Sequence, residues 1–101
     1  MVRWIRSAQI ARGKNVDAMQ WSREATAYVN KKFPEAGIRA YQGLFGPVGR
    51  LVWMSDSENL ADLEKISTAI GSDEGYLAFV AKSSDLFVEG SMQDDIIATF
   101  E

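Results

Sequence analysis

The sequence predicts an α+β domain in which an antiparallel sheet has helices on one face. Strand-like and helix-like segments follow in the order β-α-β-β-α-(α)-β. Two of the strands are joined by a short turn rich in glycine and proline, as expected for an antiparallel hairpin. The two longer helical segments have apolar residues at a spacing of three to four, which indicates one buried face on each.

The first strand is predicted over residues 2–11, where both alternating faces contain apolar side chains. That pattern is typical of a strand that is covered on both sides. Residues 13–15 interrupt the pattern, and Asn15 is the expected N-cap of a helix that reaches residue 33. Pro34 then ends the helix, because the residue before a proline avoids helical geometry.

A hairpin is predicted next, with strands over residues 38–45 and 50–55. Residues 46–49 read Gly-Pro-Val-Gly and form the predicted turn. Proline presets φ and glycine tolerates positive φ, so this tetrapeptide suits a tight connection. The short spacing between the two strands requires them to be antiparallel.

The second half of the chain predicts two further helices and a last strand. Asn59 is the expected N-cap of the second helix, and Gly71 is the expected residue after its end. Ser72 is predicted to cap a third helical segment over residues 73–84. The last strand is predicted over residues 92–100, where two acidic residues are followed by apolar ones.

These elements together predict a ferredoxin-like β-α-β-β-α-β sandwich. One face of the antiparallel sheet is then open, yet the strands contain apolar residues on both sides. An exposed apolar patch of that size is unusual for a monomer. We therefore expect a homodimer that pairs through its sheet faces and buries on the order of 1,200–2,000 Å² in total.

The composition excludes several classes of site. The 101 residues include no cysteine and no histidine. Cysteine nucleophiles, Ser-His-Asp triads and haem held by an imidazole are therefore excluded. We expect no metal site and no cofactor. The net charge of −3 argues against nucleic-acid binding, which favours a basic face.

Length and hydropathy set the expected organisation. A chain of 101 residues fits one domain, which we expect to span residues 1–101. No apolar run approaches the roughly 20 residues of a membrane span, so we expect no membrane association. The first residues lack the apolar stretch of a signal peptide, and the expected location is cytoplasmic.

Aromatic residues are the main candidates for a ligand site. The elements that contain them could meet around one cavity, which would suit a flat aromatic molecule. The alternative is that these side chains simply form the hydrophobic core. The candidates are Trp4, Trp21, Tyr28, Tyr41 and Trp53.

Arg6 is the charged candidate, because it lies in the middle of the first strand. An unpaired guanidinium buried there would be costly, so it needs a partner. A salt bridge to Asp94 or Asp95 of the last strand is the favoured interpretation. Bidentate binding of an anionic ligand is the alternative.

Residues 46–57 and 60–64 resemble a known superfamily. They read Gly-Pro-Val-Gly-Arg-Leu-Val-Trp-Met-Ser-Asp-Ser and Leu-Ala-Asp-Leu-Glu. This turn, apolar strand and helix start are similar to those of the dimeric α/β-barrel superfamily, in its NIPSNAP-like and antibiotic-biosynthesis-monooxygenase-like branches. The resemblance implies a ferredoxin-like protomer whose sheet pairs with that of a second subunit to close a dimeric α/β barrel. It also implies a small-molecule pocket between sheet and helices. Histidines that serve haem-degrading members have no counterpart in this sequence.

The resulting prediction is a small homodimeric protein that binds a small molecule, for example an aromatic one, between sheet and helices. Two alternatives stay open: a cofactor-independent monooxygenase-like enzyme, and a non-catalytic dimer whose pocket is filled core. RNA recognition uses the same element order but is not expected, because the chain is acidic and its third strand lacks the required aromatic pattern. The expected ligand-binding residues are Trp4, Arg6, Trp21, Tyr28, Tyr41 and Trp53.

Overall fold

Four strands and three α-helices follow in the predicted order within residues 1–100, which the computed structural model describes. The α+β class and the antiparallel sheet of the prediction are confirmed. The elements are β1 (Val2–Gln9), α1 (Asn15–Lys32), β2 (Arg39–Gln42), β3 (Arg50–Ser57), α2 (Leu60–Gly71), α3 (Glu74–Lys82) and β4 (Gln93–Ala98). A short 3₁₀ helix, Pro34–Ala36, lies between α1 and β2.

The sheet has the strand order β2-β3-β1-β4, and each neighbouring pair is antiparallel. β1 is therefore central and pairs with both β3 and β4. This register puts Arg6 directly beside Trp53 on one side and Asp94 on the other. All three residues lie on the face of the sheet that the helices cover, because successive side chains of a strand alternate between the two faces.

The compact part of the core lies where β1 leads towards α1. Ala8 of β1 and Ala18 of α1 are almost completely buried, at 1% and 0% exposure. Both alanines belong to one buried cluster, and such small side chains allow the helix to approach the sheet closely. The remaining buried members of this cluster are Ile10, Leu51, Trp53 and Leu86.

Three strands are shorter than predicted, whereas β3 reaches Ser57, two residues beyond its predicted end at residue 55. β2 ends at Gln42, because the chain turns after Gly43, whose N–H donates to the carbonyl oxygen of Arg50 at 2.8 Å. The predicted Gly-Pro-Val-Gly turn is confirmed: Gly46 and Gly49 have φ of 89° and 77°, which a residue with a Cβ rarely adopts. β4 begins at Gln93 and ends at Ala98, inside the predicted residues 92–100.

The predicted helix ends are correct in one case and wrong in three. Asn59 caps α2, since its side-chain oxygen accepts from the N–H of Asp62 at 2.9 Å. Asn15 is the first residue of α1 rather than its cap. Gly71 is the last residue of α2 and has no positive φ, so it is not a C′ glycine. Asp73, not Ser72, caps α3, because Ser72 already completes the end of α2.

Asp73 connects α3 to α1. Its carboxylate accepts from the Tyr28 hydroxyl at 2.6 Å, from the Tyr76 N–H at 3.0 Å, and from the Lys32 ammonium group. These hydrogen bonds, that from Lys32 first and that from Tyr28 second, lower the pKa of Asp73 from 3.8 to about 2. The cap of α3 is therefore also a cross-link between two helices.

Substituting Gly75 by alanine is expected to destabilise the protein. A Cβ at this position of α3 would collide with the phenol group of Tyr28. We expect a loss of roughly 1–3 kcal/mol, typical of overpacking, although alanine favours a helix over glycine by about 1 kcal/mol. Gly71→Ala is the control, because its Cβ would meet no atom within 4 Å. Urea unfolding that ranks the two variants equally would contradict this packing.

Asp73→Asn is expected to remove part of the resistance to acid. The pKa of Asp73 is about 2 in the folded chain against an ordinary value of 3.8, so the unfolded chain binds this proton first as the pH falls. The stability from this carboxylate is therefore complete above about pH 4 and is lost towards pH 2. Urea midpoints of the wild type and Asp73→Asn should differ at pH 6 and converge near pH 2. Asp62→Asn, at an exposed position, is the control. The difference between its urea midpoint and that of the wild type should not shrink between pH 6 and pH 2.

Candidate functional site

A cavity of about 580 Å³ separates the sheet from α2 and α3. Its floor is formed by the ends of β1, β3 and β4 that lie away from the compact core. Its walls come from one side of α1 and from facing sides of α2 and α3. This volume lies within the range of about 300–1,000 Å³ that small-molecule pockets occupy. The cavity is therefore the first candidate for a functional site.

Three aromatic rings divide the cavity from the compact core. Trp21, Trp53 and Phe87 contact one another edge to face, with ring centroids 5.6–6.2 Å apart. Such geometry is favourable because the ring edge is positive and the ring face negative. Trp21 and Trp53 also line the cavity, so the two predicted interpretations of these tryptophans, core and pocket wall, both apply.

Hydrogen bonds fix the orientation of both indole rings. The indole N–H of Trp53 donates to the Ser22 hydroxyl at 2.9 Å, which connects β3 to α1. The indole N–H of Trp21 donates to the carbonyl oxygen of Phe79 at 2.8 Å, which connects α1 to α3. Because both donors are used inside the protein, these rings present an apolar surface to the cavity.

The polar end of the cavity is formed by Arg6 and its neighbours. Nε and Nη2 of Arg6 donate to the two carboxylate oxygens of Asp94 at 2.7 and 2.8 Å. The predicted salt bridge between Arg6 and the last strand is thereby confirmed, with Asp94 as the partner. The guanidinium group also lies 5.1 Å from the centroid of the Trp4 ring, a cation–π distance. Nη1 of Arg6 is 3.5 Å from the hydroxyl oxygen of Tyr76.

The ion pair sets the charge state of both partners. Hydrogen bonding to Asp94 raises the pKa of Arg6, and partial burial opposes that effect. Hydrogen bonding from Arg6 holds the pKa of Asp94 below its ordinary value, with a smaller contribution in the same direction from Trp4. Both groups are therefore ionised at neutral pH, and the polar end contains one charge of each sign.

The cavity opens between α3 and β4. Side chains that line it there are also about half exposed, as for Leu77 at 49% and Ile96 at 55%. β4 is an edge strand whose six residues are all exposed, so it covers this side only in part. An apolar molecule would therefore meet an apolar rim at the entrance.

Four of the six residues predicted to bind a ligand line this cavity. They are Trp4, Arg6, Trp21 and Trp53. Tyr28 lies behind the wall, where its ring is tilted against Phe79 and its hydroxyl donates to Asp73. Tyr41 pairs with Val52 on the open face of the sheet and is 46% exposed. Tyr28 and Tyr41 are therefore not among the residues that line the cavity. For the other four residues, a role in binding a ligand stays a prediction.

Sequence reasoning did not identify the wall that α2 and α3 contribute. Leu63, Ile66 and Ile70 of α2 line the cavity, and Tyr76 of α3 reaches its polar end. The helical spacing of these residues indicated a buried face. It contained no signal that this face would border a cavity instead of packing against the sheet, because that depends on the distance between the layers.

The other parts of the described chain add no comparable site. A depression of about 310 Å³ lies between α1 and the end of α3, and charged side chains such as Lys14, Asp17 and Lys82 form much of its lining. Residues 1–100 contain no cluster of three acidic side chains placed to hold a metal ion. No helix among those residues is both long enough and apolar enough to cross a membrane.

Comparison with known proteins gives similarity in structure without similarity in sequence. No protein-family model and no curated protein matches the chain. An uncharacterized NIPSNAP domain protein from Burkholderia xenovorans superposes with a TM-score of 0.81 at 13% identity, over 98% of this chain and 94% of that one. A NIPSNAP family protein from Agrobacterium tumefaciens gives 0.79 at 21% identity, over 96% and 90%.

A putative antibiotic biosynthesis monooxygenase from Nitrosomonas europaea superposes with a TM-score of 0.72 at 16% identity, and the match covers 100% of both chains. The superpositions extend over nearly the whole chain, so they concern the complete arrangement of strands and helices. The chain therefore has the ferredoxin-like fold that NIPSNAP-family and antibiotic-biosynthesis-monooxygenase-like proteins share.

Proposed function

We propose that the protein binds a small apolar molecule, for example an aromatic one, in the cavity between sheet and helices. The observation that carries this proposal is the cavity of about 580 Å³ with tryptophan on its wall and one balanced ion pair at its end. Ligand pockets combine a mostly apolar lining with a few placed polar groups. The lining of this cavity follows that description.

The tryptophans suit an aromatic ligand for a specific reason. The indole N–H groups of Trp21 and Trp53 are bonded within the protein, so their rings offer rigid apolar surface. A rigid wall loses little conformational entropy when a ligand binds, which favours affinity. Arg6, which lies beside Trp53 on the neighbouring strand, and Trp4 supply polarity that can orient the molecule.

The same cavity would serve the alternative function, a cofactor-independent monooxygenase. Proteins described as antibiotic biosynthesis monooxygenases share the fold, and that similarity is its support. This alternative stays a prediction. Binding of a ligand comes first in both cases, so the binding experiment is the first to perform.

Ser67→Trp is expected to block the cavity. Ser67 lies on its α2 wall, and an indole there would occupy space that a ligand needs. We expect the wild type to bind the neutral dye Nile red, and Ser67→Trp to bind it at least tenfold more weakly, about 1.4 kcal/mol. Dye fluorescence measures binding, and native mass spectrometry reports any molecule retained through purification.

Thr68→Trp is the matched control, because Thr68 is the next residue of α2 and is exposed outside the cavity. It should bind the dye as the wild type does. Absence of dye binding and of any retained molecule in the wild type would instead support the remaining alternative, a dimer whose pocket has no ligand.

We also propose that the protein is a homodimer formed through the open face of the sheet. Ile5, Val52 and Met54 are only partly buried at the centre of that face. Tyr41 and Ile97 flank them and are 46% and 53% exposed. A second copy would cover these apolar side chains, since a twofold axis brings the same patch of both subunits together.

Val52→Glu is expected to dissociate the dimer. A carboxylate at the centre of a buried interface would be desolvated without a partner, which is costly. Sedimentation velocity should give the mass of two chains for the wild type and of one chain for Val52→Glu. Val16→Glu is the control, because Val16 is 82% exposed on α1. A wild type that sediments as a single chain would rule out this proposal.

A further inference from the structure

The polar end of the cavity contains a charge pair with no net charge. Within residues 1–100, the charged side chains that line the cavity are Arg6 and Asp94. Their contact is bidentate, so Nε and Nη2 of the guanidinium are already used. An arginine free to bind a ligand carboxylate would instead offer this pair of parallel donors to the ligand.

The groups that remain for a ligand suit a neutral oxygen. Nη1 of Arg6 contacts the Tyr76 hydroxyl at 3.5 Å, which is long for a hydrogen bond and leaves donor capacity. The Tyr76 hydroxyl can also donate its own proton. A ligand carbonyl or hydroxyl could accept from these donors, and a hydroxyl proton could be directed to Asp94.

A carboxylate in the same position would meet an unfavourable environment. It would lie close to the carboxylate of Asp94, which accepts two hydrogen bonds from Arg6 and is ionised at neutral pH. Like charges repel more strongly in a partly desolvated site than in water. An anion bound through the remaining N–H groups of Arg6 would also have to share the guanidinium group with Asp94, whose carboxylate already balances that charge.

We propose that the cavity selects a neutral molecule with an apolar body and one hydroxyl or carbonyl head, and that Asp94 is the residue that excludes the corresponding carboxylate. Asp94 acts here as a specificity-determining residue. It neutralises Arg6 and places a negative charge where an anionic head would bind. This inference rests on the proposed binding function and adds the class of ligand.

Two probes that differ only in the head group test the inference. 2-Naphthylmethanol and 2-naphthoate share the same carbon skeleton, and at pH 7.5 only the second is charged. Calorimetry should show that the wild type binds the alcohol at least tenfold more tightly than the carboxylate. Asp94→Asn removes the negative charge and leaves Arg6 uncompensated, so it should bind the carboxylate at least tenfold more tightly than the wild type does.

Asp95→Asn is the matched control. Asp95 is the next residue of β4, and its substitution by asparagine changes the net charge by the same amount. Its side chain, however, lies on the opposite face of the sheet. It should keep the wild-type preference. The double variant Arg6→Gln/Asp94→Asn removes both charges, so its gain in carboxylate binding should be smaller than that of Asp94→Asn but still measurable. If Asp94→Asn alone does not fold, a double variant that binds the carboxylate no more tightly than the wild type would overturn the role of Asp94.

The outcomes separate this inference from the proposed function. Equal affinity for both probes, a preference of the wild type for the carboxylate, or an unchanged preference in Asp94→Asn would overturn the role of Asp94. Binding of Nile red without binding of 2-naphthylmethanol would overturn the proposed class of ligand. Failure of the wild type to bind Nile red and both probes would overturn the binding function itself.

Discussion

Two indole hydrogen bonds fix how α1 lies against the sheet and how α3 lies against α1. Trp53 on the sheet donates to Ser22 of α1, and Trp21 of α1 donates to the backbone of α3. A buried indole N–H without an acceptor would be costly, so both contacts constrain the helices strongly. They hold α1 against the sheet at one end and keep α3 beside α1. The cavity lies beside the two indole rings, between the sheet and α2 and α3.

The part of the fold that local chemistry dictates was predictable. The Gly-Pro-Val-Gly turn needs positive φ at Gly46 and Gly49, and the structure has it. Asn59 caps α2, since its side chain reaches an N–H that has no partner within the helix. A pairing of Arg6 with Asp94 or Asp95 was expected from the cost of an unpaired charge in the middle of a strand, and the partner in the structure is Asp94. In each case the cause is local: it is the conformation of a few residues or the free-energy cost of an unpaired charge.

The parts that depend on tertiary packing were not predictable. Serine and aspartate are both common capping residues, so the sequence alone does not distinguish Ser72 from Asp73 as the cap of α3. In the structure the cap is Asp73, which also contacts Tyr28 and Lys32. Tyr41 was predicted to bind a ligand, but it lies on the open face of the sheet, because the sequence did not indicate which face the helices cover. The cavity itself depends on the distance between layers, which no residue pattern encodes. The sequence therefore indicated Trp21 and Trp53 without distinguishing a wall from a core.

The aromatic rings between the compact core and the cavity have a consequence for how the sequence of such a protein can vary. The compact core and the cavity share the Trp21–Trp53 boundary, while the α2 wall of Leu63, Ile66 and Ile70 lies on the far side of the cavity. Substitutions on that wall change the shape offered to a ligand and leave the densely packed end untouched. The shape of the cavity and the packing of the compact core thus depend on largely separate sets of residues. Proteins that are only 13–21% identical to this chain keep the same arrangement of strands and helices, so most positions of the scaffold can change without a change of fold.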